Sequence, residues 1–153
     1  MRRLVDILRF VVISPEILVF AIVTLLSIGI PSLFEGVISI VHNNLSCGVT
    51  GAAAPVAMLV WGWTQCWELL SPTEAQRVLL DWPDYPMLRD RAIACLAWCG
   101  LGSGIGFIGV VLMSGDAYRD IGVGVFLGGI LAAVTATASL GLARLKLREL
   151  LIK

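Results

Sequence analysis

Apolar residues fall in four long blocks, at 17–41, 51–70, 92–113 and 121–143, separated by short stretches that hold most of the charge. Each block is close to the ~20 residues an α-helix needs to cross a bilayer. Within the blocks the apolar positions run all round the helix, as expected where lipid is the solvent. The pattern predicts an all-α integral membrane protein, four transmembrane helices in a bundle, forming a single domain over 1–153.

Two shorter segments alternate differently. Over 2–13, Arg2, Asp6 and Arg9 share a face and Leu4, Val5, Leu8, Val11 and Val12 cover most of the rest. This is too short to span and predicts an interfacial helix with its charges toward water. Arg2 and Arg3 ahead of an apolar stretch look like a secretory leader, but Asp6 and Arg9 interrupt it, so an uncleaved segment is expected. Over 72–82, Ala75, Val78, Leu79 and Trp82 form a stripe opposite Glu74, Arg77 and Asp81. Ser71-Pro72-Thr73-Glu74 supplies a capping box, which predicts a second short amphipathic helix between spans two and three. Trp82-Pro83-Asp84-Tyr85-Pro86 then breaks it with two aromatics suited to the headgroup zone.

The first block has internal punctuation. Ser14-Pro15-Glu16 reads as a helix start: a hydroxyl cap, a proline in the first turn and an early carboxylate. Pro31 removes a donor and clashes with the preceding turn. Either a kinked helix runs on to Val41, or the span stops near Phe34 and 35–41 lies along the outer surface. The apolar Val37, Ile38, Ile40 and Val41 favour the kinked helix. The two halves of the chain share an order of elements, but their residues do not match.

Charge sets the expected orientation. Of eleven Lys and Arg, ten lie in the two tails and the connection between spans two and three, leaving Arg119 in the connection between spans three and four. Positive residues collect in cytoplasmic loops, so both termini and the middle connection are expected inside a bacterial inner membrane. The chain is 58% hydrophobic and 14% charged, which leaves no polar surface for a separate soluble domain. Acidic residues are interleaved with the basic ones and the formal net charge is zero, so nucleic acid is not an expected partner. The expected partners are the bilayer, a second copy or another membrane protein, with a soluble partner on the inner side as a further option.

Spans three and four are rich in small residues. Gly100 and Gly104 make one row and Gly102 and Gly106 another, while Gly124, Gly128 and Ala132 continue the theme beside Gly129, Ala133 and Thr137. Such rows let helix backbones approach closely, the main source of association in lipid. The short connection 114–120 makes these two spans an antiparallel pair. Small faces on two sides place span three at the centre or against another copy.

Chemistry-bearing residues are sparse. Glu35, with Pro31 and His42, is the candidate for a pore or gate, since an ionisable residue at depth is costly and points to function; otherwise it is interfacial. Glu68 ends span two against the helix dipole and predicts an inner salt bridge to Arg89 or Arg91. Cys66, Cys95 and Cys99 share a level, and three thiols suit a soft metal. Yet they form no Cys-x-x-Cys pair, the one histidine is on the outer side, and buried thiols pack as small apolar groups. Four-span thiol oxidoreductases of the quinone-linked and vitamin-K-epoxide type are similar in span count. They carry cysteine pairs in outer loops or at a membrane end, where this chain has only Cys47. Ser103 lacks a histidine at its depth, which argues against nucleophilic hydrolysis. No catalytic residue, cofactor or metal is expected. The reading is a non-catalytic, oligomeric or complex-forming membrane subunit. A homo-oligomeric channel lined by Glu35, Pro31 and Thr135, Thr137 and Ser139 is the alternative, and a thiol-dependent redox or metal protein is the outsider.

Overall fold

The computed structural model describes residues 14–70, 85–115 and 118–151, without the side chains of 68–70 and 146–151. The expected amphipathic helices at 2–13 and 72–82 lie outside the described residues. All regular elements described are helical: α1 (Pro15–Gly29), a 3-10 turn (Pro31–Leu33), α2 (Glu35–Asn43), α3 (Leu45–Leu70), α4 (Tyr85–Met113) and α5 (Arg119–Leu151). Three segments are long and apolar enough to cross a membrane: Leu45–Trp67, Tyr85–Met113 and Arg119–Leu145. A further candidate is the pair Pro15–Gly29 and Pro31–Asn43, bent by 110°.

That bend corrects the favoured reading of the first block. At Pro31 the helix stops rather than kinks. Pro31 has no N–H to continue the ladder, the last helical bond of α1 is closed by Ile30 N–H donating to Leu26 at 2.8 Å, and Phe34 N–H donates to Pro31 at 2.9 Å to tighten the turn. The helix then restarts almost at right angles. The apolar residues that suggested depth are needed for another reason. Ile38 and Val41, 4% and 5% exposed, pack with Ala52, Val110 and Met113. Their hydrophobicity serves contact with α3 and α4 while Glu35, Gly36 and Ser39 face outward.

α1 begins where the sequence places it, with Ser14 at the cap in extended conformation and Pro15 at the first helical position. The Ser14 hydroxyl, however, makes no capping bond to that turn. At 15 residues α1 is about 22 Å long, shorter than a ~30 Å hydrocarbon core.

The centre of the bundle is α5, which touches α1, α3 and α4. Glycines decide how near each neighbour comes. A methyl added at Gly102 would lie 2.6 Å from the Gly129 carbonyl oxygen, and one at Gly109 would lie 2.5 Å from the Phe126 nitrogen. The order of these contacts, 102 with 129 and 109 with 122 and 126, makes α4 and α5 the expected antiparallel pair. On another face of α5, Gly124 receives Thr24 and Ser27 of α1, and Gly128 receives Phe20. α3 packs on α4 through Gly106 against Ala52 and Gly62 against Leu96. Two buried clusters result. One, at the end where α1 and α4 begin, holds Cys66, Cys95, Cys99, Trp98 and Ala136; the other, beneath α2, holds Val123 and Phe126.

Candidate functional site

Two features depart from a bundle that merely fills its own core: a carboxylate sealed among the helices, and a helix face left open among the described residues.

The carboxylate is Glu16, whose exposure is 0%. It sits in the first turn of α1, where the helix dipole favours negative charge. One Arg91 nitrogen, Nη2, donates to both of its oxygens, at 2.9 Å to Oε1 and 3.2 Å to Oε2. Arg91 lies in the second turn of α4, and Glu16 neutralises its charge. A sealed carboxylate of this kind is tolerated in a low-dielectric interior only when paired. The pair ties α1 to α4, two helices that otherwise meet mainly through α5.

Sequence reasoning assigned Arg91 differently. The expected inner salt bridge paired Glu68 with Arg89 or Arg91; here Arg91 is engaged by Glu16, and the Glu68 side chain lies outside the described residues. Arg89 faces Asp90 with Nε 3.8 Å from Oδ1, too long for a hydrogen bond. Asp90 Oδ1 is buried and, among the described residues, has no hydrogen-bond donor.

Above the ion pair, Cys66, Cys95 and Cys99 come together in one buried cluster, at the common level the spacing implied. They behave as small packing groups. The Cys99 thiol donates weakly to the Ala133 carbonyl at 3.9 Å, and the Thr137 hydroxyl donates to the same oxygen. Among the described residues no three His, Cys, Asp or Glu side chains group to hold a metal.

Ser103 has a structural partner that explains its depth. Its hydroxyl donates to the Ala52 carbonyl of α3 at 2.8 Å, and both residues are buried. Pro55, inside α3, has no N–H for the carbonyl four residues back and crowds that turn. Ser103 bonds the carbonyl next to that of Gly51, the one Pro55 leaves without its helical donor, and so ties α4 to α3 at this stretch.

The candidate gate residues are not brought into one path. Pro31, Glu35 and His42 are all exposed, at the end of the bundle opposite Glu16. His42 lines a small cavity with Val41, Leu45, Val110, Met113 and Ser114, and Glu35 is not among its walls. In the Thr135, Thr137 and Ser139 row every hydroxyl donates to its own helix, to Leu131, Ala133 and Thr135 respectively.

The uncovered face belongs to α4. Gly102, Gly106, Gly124 and Gly128 of the predicted rows all meet a neighbouring helix, whereas Gly100 and Gly104 have nothing within 4 Å of an added methyl. Beside them Ile93, Leu96 and Ala97 form an open apolar groove with Leu59, Val60 and Trp63 of α3, about 550 Å³ in volume. Trp61, Trp63 and Trp67 are about half exposed along α3, with the Trp63 and Trp67 rings 6.0 Å apart. Comparison of the chain with protein-family models, curated proteins and solved structures gives no match.

Proposed function

We propose that this protein is a non-catalytic subunit of a membrane complex. In this reading α1 with α2, α3, α4 and α5 provide four spans in a bacterial inner membrane, both termini are cytoplasmic, and α4 presents a face to another transmembrane helix. The observation that carries it is the division of the glycines. Gly costs roughly 1 kcal/mol relative to Ala in a helix and is used in membranes where backbones must touch. Among the described residues, Gly102, Gly106, Gly109, Gly122 and Gly129 have that use inside the chain and Gly100 and Gly104 do not. A second helix against α4 would give them the same role.

The polar groups favour this over conduction. Glu16 is paired, Ser103 is bonded to α3, and the α5 hydroxyls are turned back on their own carbonyls. Among the described residues these groups offer a water path no continuous polar lining. The test is photo-crosslinking in intact membranes from position 104 on α4, compared with position 142 on α5, where Leu142 is 63% exposed. The expected result is one protein adduct of defined mass from position 104 and lipid adducts alone from 142. Equal protein trapping at both positions, or none at either, contradicts the proposal. Ion flux in liposomes that Glu35→Gln abolishes would favour the pore instead.

A further inference from the structure

The bare face of α4 has a period that identifies what fits it. Ile93, Ala97, Gly100, Gly104, Phe107 and Val111 follow one another at steps of four, three, four, three and four. This is the alternating spacing of a two-helix seam, averaging 3.5 residues. None of the six is buried by the rest of the chain: Ile93 and Ala97 are half-covered, Gly100, Gly104 and Phe107 are open, and Val111 is 69% exposed. The seam's eighteen-residue separation is about 27 Å of helix, close to the thickness of a hydrocarbon core.

We infer that the occupant is a second copy of this chain, joined along that seam about a two-fold axis normal to the membrane. This rests on the complex-forming reading above and names its partner. A two-fold axis sets Gly100 and Gly104 against their own counterparts, so the narrowest positions coincide and the backbones close in at mid-membrane, with Ile93, Phe107 and Val111 filling either end.

Charge at the end of the seam points the same way. Arg89 stands on the flank of the stripe and Asp90 continues it one step below Ile93. Within one chain they are 3.8 Å apart, beyond hydrogen-bond reach. Their side chains keep 28% and 13% exposure. In a parallel pair a flank residue of one helix lies beside a seam residue of the other. Arg89 of each copy is then placed to donate to Asp90 of its mate, twice by symmetry, and an acid–base neighbour pair becomes self-complementary.

The test uses two copies of opposite charge. Arg89→Asp gives a chain with two adjacent acids, and Asp90→Arg gives one with two adjacent bases. Each carries Gly104→Cys in a Cys47→Ser background, with different tags, and both are oxidised in intact membranes. Cys66, Cys95 and Cys99 are buried and stay outside the readout. Wild-type charge should give a disulfide-linked dimer. Either variant alone should cross-link less, on the order of five-fold for two partly exposed ion pairs, and co-expression should restore the yield as the mixed dimer. Rescue by mixing requires contact between copies, because an effect confined to one chain would persist in the mixture, and recovery shows that both variants fold.

Equal cross-linking alone and mixed overturns the charge exchange. If wild-type charge gives no dimer while another protein is trapped stoichiometrically at position 104, the second-copy inference falls and the subunit reading stands. If nothing but lipid is found there, both fall.

Discussion

Removing the cation from the Glu16–Arg91 pair should be far worse than removing both charges. In Arg91→Gln the carboxylate of Glu16, fully buried with both oxygens now on one guanidinium nitrogen, loses its charge partner. Breaking a buried pair from one side costs about 3–5 kcal/mol, although protonation of the carboxyl would soften this. Glu16→Gln leaves Arg91 unpaired but 28% exposed, so water relieves part of the loss and the penalty should fall lower, about 1–3 kcal/mol. The double variant Glu16→Gln/Arg91→Gln can exchange amide hydrogen bonds and should lie within about 1–2 kcal/mol of wild type. A double-mutant cycle should therefore give a coupling of at least about 2 kcal/mol, or a factor of roughly 30 or more in the unfolding equilibrium. The assay is reversible unfolding in mixed micelles, followed by a probe on α1 and a second on α4. Additive single variants, with Arg91→Gln within 0.5 kcal/mol of wild type on the ~1 kcal/mol scale of ordinary substitutions, would refute the view that this pair fastens α1.

Other consequences are open to the same measurement. Ser103→Ala removes the hydroxyl from the Ala52 carbonyl and should destabilise by about 0.6–1.7 kcal/mol, the range for hydrogen bonds between membrane helices. Gly109→Ala should be more damaging than that, because its methyl would meet the Phe126 nitrogen at 2.5 Å and backbone must move. Gly100→Ala has open space and in a monomer should be neutral or stabilising by up to about 1 kcal/mol; equal losses at 100 and 109 would contradict the assigned packing. A membrane-impermeant maleimide should label exposed Cys47 in right-side-out cells but spare the three buried thiols. Labelling of Cys47 only from the cytoplasmic side would reverse the orientation.

Much of the bundle was legible because the bilayer imposes a simple rule on composition. Three long helices coincide with the blocks at 51–70, 92–113 and 121–143, and the start of α1 coincides with Ser14-Pro15-Glu16. Pairing between distant residues was not legible. Glu16 reads locally as a carboxylate complementing a helix dipole, and its partner lies 75 residues away; Glu68 is the expected partner of Arg89 or Arg91 because adjacent spans bring it near them in the chain. The small-residue rows announced close packing, but their spacing alone gives no direction. The structure shows Gly102 and Gly106 turned inward and Gly100 and Gly104 outward, and of the two places open to span three it gives the central one to α5. At Pro31 the signal was present and its strength misjudged. Ile38 and Val41 looked like the continuation of a span because burial against protein and burial in lipid select the same side chains.

The central claim, that α4 carries an assembly face, is tested most directly by weighing the protein in native membrane nanodiscs. The wild-type particle should contain more than one polypeptide, and Gly100→Leu/Gly104→Leu should reduce it to a single 16.4 kDa chain that remains folded. A single chain in both preparations would contradict the account.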